Sequence, residues 1–110
     1  MQRTKDITFI GFALKSRGII LGANSVYAEK KRKYLLLLCQ SAAKNTAKDF
    51  IAYAARQSIP AIKTCGVLLE DIVNKSNCKV AAITDRHLAE AVLNNLSDNF
   101  ENISGGIFNE

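Results

Sequence analysis

One stretch of the chain indicates its fold more clearly than any other: Lys30-Lys31-Arg32-Lys33-Tyr34-Leu35-Leu36-Leu37-Leu38-Cys39. Its apolar part is too short to cross a membrane, but it has the length of a strand that is buried on both faces of a sheet. The four cations before it would then lie at the mouth of that sheet. We therefore predict a central strand with a fixed positive cluster at one end.

Helical and strand-like segments alternate on both sides of this stretch. Helical spacing covers residues 5–16, the residues from Asn24 or Ser25 into the basic cluster, those from Asn45-Thr46 onward, 68–73, and those after Asp85; strands are predicted at 19–22, 34–40, 61–64 and 79–84. Such alternation is typical of helices on both faces of a sheet. The sequence predicts an α/β fold: a three-layer α/β/α sandwich with a four-stranded mixed sheet. Residues 1–96 are expected to form one domain and residues 97–110 a flexible tail.

Positive charge is concentrated in the first half of the chain. Residues 1–48 carry ten Lys and Arg against two acidic residues, whereas residues 49–110 carry five against eight, and the formal net charge of the whole chain is +5. Such asymmetry is typical of a one-sided surface that meets phosphate, so nucleic acid is the first candidate partner. The alternative is a solvated basic face that only keeps the protein soluble.

The residue types needed for metal binding or catalysis are sparse. The three cysteines form no CxxC pair and there is one histidine, so we expect no metal site. An odd number of cysteines favours a reducing cytoplasm, and we expect all three thiols in or near the core. His87 is expected at the surface and Asp85 as a helix cap. No glycine-rich phosphate loop is present, so we expect no enzymatic activity and no small-molecule substrate.

Three loops are better candidates for a binding site. They are residues 22–25, 41–46 and 64–67, and each follows a predicted strand and leads into a helix. Ligands of alternating α/β sheets usually lie at the carboxyl ends of strands, and helix N-termini favour phosphate. For any one polar residue in these loops, a capping role is the more ordinary explanation, and it is the convergence of three such loops that favours a site. We expect the loops and the cationic side chains to lie along one rim of the sandwich.

The order of these motifs resembles the kink-turn-binding ribosomal protein family, of the L-seven-Ae and L-thirty-e type, and in particular its bacterial YlxQ-like branch. The resemblance covers residues 5 to about 95. It rests on the segments 17–26, 35–38 leading to Asn45-Thr46, 59–62, and 80–85. The family implies a three-layer α/β/α domain that binds structured RNA without a cofactor. It also implies association with ribosomes or ribosomal RNA in translation, and no contact with membranes.

The family's RNA contacts are carried over position by position. Gly22 and Asn24 match its Gly-x-Asn-Glu segment, whereas Ser25 stands in place of its Glu and Ala28 in place of its Lys. With the basic residues added, the predicted RNA-binding residues are Gly22, Asn24, Ser25, Lys30, Lys31, Arg32, Lys33, Lys44, Asn45, Thr46, Lys48, Thr64, Gly66 and Val67. The two departures keep an alternative open: a protein-interaction or structural module that keeps the fold without specific RNA recognition.

Overall fold

The structure is a computed structural model that describes residues 3–104. The helices are α1 (Lys5–Lys15), α2 (Ala23–Ala28), α3 (Lys44–Gln57), α4 (Leu69–Val73) and α5 (Arg86–Asn94). The strands are β1 (Ile19–Leu21), β2 (Leu35–Leu38), β3 (Ala61–Thr64), β4 (Val80–Ile83) and β5 (Phe100–Asn102). The fold is therefore α/β, with elements in the predicted alternating order and one further strand at the end.

The five strands form one mixed sheet in the order β1-β4-β2-β3-β5. β4 is antiparallel to both of its neighbours, β1 and β2, whereas β2 and β3 are parallel and β5 is antiparallel to β3. Consequently β1, β2 and β3 all run in the same direction. Their carboxyl ends lie at one edge of the sheet and their amino ends at the opposite edge.

β2 organises the core, as its sequence predicts. Its four leucines are at most 1% exposed, and full burial of a leucine contributes roughly 1.5–3 kcal/mol. Alternate side chains point to opposite faces: Leu35 and Leu37 pack with residues of α1, α4 and α5, whereas Leu36 and Leu38 pack with residues of α2 and α3. Helices therefore cover both faces of the sheet.

The predicted four-stranded sheet and the predicted tail both need correction. β5 lies inside the segment expected to be a tail and pairs with β3, with Thr64 opposite Phe100. Phe100 is buried in the same cluster as α1 and α5. A three-residue strand with one apolar side chain carries almost no periodic signal, so its existence depends on β3 beside it. Residues 105–110 of the predicted tail lie outside the described residues.

Helix starts differ from prediction in two of three cases. Asp85 caps α5 as predicted, because its Oδ1 accepts the Leu88 N–H at 3.0 Å. The N-cap of α2 is Gly22 rather than Asn24 or Ser25, and that of α3 is Ala43, so that Asn45 and Thr46 lie in its first turn. In addition, α2 ends at Ala28 and does not run into the basic cluster, which is an irregular loop instead.

Candidate nucleic-acid interface

The three loops predicted as a binding site come together where β1, β2 and β3 end, which we call the carboxyl-end edge. Gly22 N–H donates to Val80 O at 2.9 Å, and Cys39 N–H donates to Lys79 O at 2.8 Å. The segment that enters β4 therefore connects the loop after β1 with the loop after β2. The loops are neighbours, as predicted, because the three strands run in the same direction and end at the same edge.

Gln40 joins the second loop to the third. Its backbone N–H donates to Thr64 Oγ1 at 2.8 Å, and its side-chain Oε1 accepts from Gly66 N–H at 2.7 Å. Thr64 is only 1% exposed. The prediction that Thr64 contacts RNA is therefore wrong. Its hydroxyl is buried and accepts the Gln40 N–H, which fixes the loop after β2.

An ion pair between Lys79 and Glu70 lies at the same edge. Lys79 Nζ lies 3.1 Å from Glu70 Oε1 and also donates to Ser41 Oγ at 2.9 Å. The other carboxylate oxygen of Glu70 accepts from Asn77 N–H at 3.0 Å. The Lys79 hydrogen bond is the largest influence on Glu70 and holds the pKa of that carboxyl below its usual value. Two of the three N–H donors of Lys79 Nζ are thus used within the protein.

The remaining predicted residues of this edge are open to solvent to different degrees. Asn24, Ser25, Lys44, Asn45, Lys48 and Gly66 are exposed, whereas Gly22, Thr46 and Val67 are half-buried. Ala43, the N-cap of α3, has no side chain that can bond to the first backbone N–H groups of the helix. The first backbone N–H groups of α3 are therefore free to meet a ligand. Lys44 and Lys48 lie in the first turns of the same helix, and their charges add to the positive end of its dipole, an arrangement that favours an anion.

Gly22 shapes the entry to α2. Its backbone has φ +94° and ψ 146°, a combination that residues with a Cβ rarely adopt. Its carbonyl accepts the Val26 N–H at 3.0 Å. A Cβ placed on Gly22 would meet no atom within 4 Å, so glycine is required here by the backbone conformation alone. The space beside Gly22 is accordingly open.

The basic run does not share this edge, which corrects the prediction of a single rim. Lys30, Lys31 and Arg32 are exposed, but they precede β2 and so lie at the amino-end edge, on the opposite side of the sheet. The basic run precedes its strand whereas the three loops follow theirs, so with β1, β2 and β3 running in the same direction the two groups lie at opposite ends of the strands. The predicted residues therefore divide into two separate surfaces.

Lys33 differs from its three cationic neighbours. It is 9% exposed, and its Nζ donates to the carbonyl oxygen of Glu29 at 2.6 Å. The same ammonium lies 5.9 Å from the centre of the Tyr53 ring. Lys33 is therefore a structural residue that closes the loop, and its predicted contact with RNA phosphate is corrected.

Sequence reasoning missed several residues at the amino-end edge. An open groove of about 850 Å³ lies there. It is lined by residues 29–34, which we call the basic loop, together with Tyr27, Tyr53 and Arg86. These residues come from α2, α3 and the start of α5, which are far apart in the chain. The helical spacing assigned Tyr27 to a helix without indicating its exposure, which is 44%.

The cysteines lie in two environments. Cys39 and Cys78 are buried as predicted, whereas Cys65 is exposed in the loop after β3, contrary to the expectation that all three are near the core. Burial raises the pKa of the Cys78 thiol. Burial also raises the pKa of Cys39, but hydrogen bonds with Ser41 and from Leu69 N–H outweigh it and lower the pKa.

Residues 3–104 show neither a candidate metal centre nor a membrane-spanning helix. They contain no group of three or more His, Cys, Asp and Glu side chains placed to hold a metal ion. Within the same residues, none of the helices has the length and hydrophobicity that crossing a membrane requires. His87 is exposed, as predicted.

Comparison with known proteins identifies the fold only. No protein-family model and no curated protein matches the chain. A solved structure described as that of a protein with unknown function from Bacillus halodurans C superposes with a TM-score of 0.73. The match covers 84% of this chain and 96% of that one, at 20% sequence identity. It shows that a natural protein of known structure shares this fold.

Proposed function

We propose that this protein is a non-catalytic RNA-binding protein of ribosomal type, which binds structured or ribosomal RNA in the cytoplasm. The observation that carries the proposal is the carboxyl-end edge, where three predicted loops are held together and present exposed Asn24, Ser25, Lys44 and Asn45. Fixed loops cost little conformational entropy on binding, so they suit recognition of a folded RNA.

The edge offers different groups to different parts of an RNA. Asn24 carries both a donor and an acceptor and suits the edge of an unpaired base. Lys44 and Lys48 lie one helical turn apart on α3 and suit successive phosphates, which raise affinity without reading sequence. Val67 is half-buried beside Gly66 and presents an apolar surface to a sugar or base. A kink-turn, in which bases are unpaired beside a sharply bent backbone, is the structured RNA that we propose first.

The resemblance to the kink-turn-binding family supports this function through Gly22 and Asn24. Ser25 has a hydroxyl where that family has a carboxylate, so it cannot supply the same charged acceptor to a base amino group. We therefore propose weaker discrimination between RNA sequences than a glutamate would provide. Phosphate contacts then supply the larger share of affinity.

Electrophoretic shift of a synthetic kink-turn RNA and of a plain duplex of equal length tests the proposal. The variants are Asn24→Ala and the double substitution Lys44→Ala/Lys48→Ala. The matched control is Lys5→Ala/Lys15→Ala, which removes the same charge from exposed positions on α1. We expect binding by the natural protein, weaker binding by both edge variants, and little change in the control.

Two results would overturn the proposal. No shift with either RNA at moderate salt would favour the protein-interaction module instead. Equal weakening of RNA binding by Lys44→Ala/Lys48→Ala and by the α1 control would mean that RNA binds to any positively charged surface of the protein. The carboxyl-end edge would then not be the interface.

A further inference from the structure

The groove at the amino-end edge joins both helical layers of the fold. Tyr27 and Tyr53 come from α2 and α3 on one face of the sheet, whereas Arg86 and Leu93 come from α5 on the other. The basic loop crosses between them immediately before β2. The groove is therefore a concave surface that wraps around the end of the sheet, opposite the carboxyl-end edge.

Positive charge dominates its lining. Five cations (Lys30, Lys31, Arg32, Lys33 and Arg86) line the groove with two carboxylates (Glu29 and Glu90). Arg86 Nε lies 3.2 Å from Glu90 Oε2, but both side chains are more than half exposed, and such surface pairs contribute little. Arg86 can therefore exchange this partner for a phosphate. Lys33 is held inside the protein, which leaves four cations for a ligand.

Aromatic rings lie among these charges. Tyr27 is 44% exposed and meets Tyr53 edge-to-face, with ring centres 5.0 Å apart. Phe50 supports both rings from the core, so their positions are fixed. Burial and the charge of Asp49 raise the pKa of Tyr27, so its hydroxyl stays neutral. Arg32 lies over the Tyr34 ring at 5.2 Å and places a planar cation in the same lining.

From this combination we infer that the groove binds a single-stranded segment of RNA, with backbone phosphates at Lys30, Lys31, Arg32 and Arg86 and a base packed on Tyr27. Fixed aromatic rings beside a positively charged groove are the arrangement that binds unpaired strands, since every base has a face that can stack. A duplex keeps its bases stacked on one another and would leave Tyr27 unused. The inference deepens the proposed function, on which it rests for the class of ligand, by adding a second surface for unpaired strand.

The test is fluorescence anisotropy of a labelled ten-nucleotide oligouridylate with the full chain, measured over a range of salt concentrations. Lys30→Ala/Lys31→Ala should lower the slope of log affinity against log salt by about 1.4, since each phosphate contact with a single strand contributes about 0.7. The matched control Lys5→Ala/Lys15→Ala should leave the slope unchanged. Tyr27→Leu should weaken binding at least about fivefold without changing the slope.

A second variant protects the test if Tyr27→Leu destabilises the fold. Arg86→Ala removes an exposed side chain from the rim and should lower the slope by about 0.7 while leaving thermal unfolding unchanged. Failure of oligouridylate to bind, or an equal slope in groove and control variants, would overturn the inference. Equal competition by a duplex of the same length, or by a ten-residue oligoglutamate, would also overturn it.

The two proposals fail in different ways. Loss of kink-turn binding in the carboxyl-end variants, with oligouridylate binding intact, supports both surfaces as separate sites. Absence of kink-turn binding by the natural protein, together with tight oligouridylate binding, would overturn the carboxyl-end edge as an interface for structured RNA and leave the groove standing. The opposite pattern would remove the groove alone.

Discussion

Lys33→Met separates the one structural cation of the basic run from the three that face solvent. Lys33 Nζ donates to Glu29 O at 2.6 Å and lies 5.9 Å from the Tyr53 ring centre, and the side chain is 9% exposed. Methionine keeps the length and apolar volume of the side chain but removes the charge and the donor. The Glu29 carbonyl then loses its partner at a partly buried position.

The expected cost follows from these two contacts. A hydrogen bond to a charged group contributes about 1.5–3 kcal/mol, and a cation near an aromatic ring adds about 0.5–1 kcal/mol. Methionine recovers part of this by burying its thioether more easily than an ammonium. We expect Lys33→Met to lower the free energy of unfolding by about 2 kcal/mol, against less than about 0.5 kcal/mol for Lys31→Met at an exposed position.

Urea unfolding followed by circular dichroism measures both variants. The midpoint should fall for Lys33→Met with an unchanged slope, and it should stay within error for Lys31→Met. Equal midpoints for the two variants would refute the assignment of Lys33 as a structural residue. The basic loop would then present four equivalent cations to a ligand.

Three further predictions test other parts of the structure. Gly22→Ala should lower the free energy of unfolding by about 1–3 kcal/mol in urea, because its φ of +94° strains any residue with a Cβ; no loss would contradict the reported backbone. The pKa of Glu70 in the folded protein lies below its ordinary value of 4.5. The ionised carboxylate therefore stabilises the fold above pH 4.5, and this stabilisation is lost as the pH falls through the pKa of the folded protein. The midpoint of Glu70→Gln should accordingly depend less on pH in this acidic range than that of the natural protein, and parallel curves would refute the ion pair with Lys79. Iodoacetamide should label Cys65 first in the folded protein, as mass spectrometry of tryptic peptides would show, and equal labelling of Cys78 would contradict its burial.

The order of helices and strands was largely predictable because each buried segment carries its own periodic signal. The four-leucine run of β2 has no polar position and therefore requires cover on both faces, which the structure confirms. β5 was not predictable, since Glu101 and Asn102 are exposed and only Phe100 enters the core. Pairing with β3 creates that strand, and pairing partners are not visible in a local pattern.

The sequence predicted the loops of the candidate site and their convergence, but it did not predict how the cations are distributed over the molecule. Loops after β1, β2 and β3 were expected to converge, and they do so because the three strands share a direction. Lys30 lies at the opposite edge because the basic run precedes β2 whereas the three loops follow their strands. The expectation of a single rim did not combine that order with the shared strand direction. Similarly, nothing in the sequence distinguishes Lys33 from Lys31, because only the turn back to Glu29 buries one and exposes the other.

The central claim is that the carboxyl-end edge contacts RNA. Backbone amide chemical shifts of the isotopically labelled protein, recorded during titration with a kink-turn RNA, test it directly. We predict the largest changes at Gly22, Asn24, Ser25, Lys44, Asn45 and Gly66. A saturating titration that leaves these amides unmoved, or that moves only the exposed face of α1, would contradict the claim.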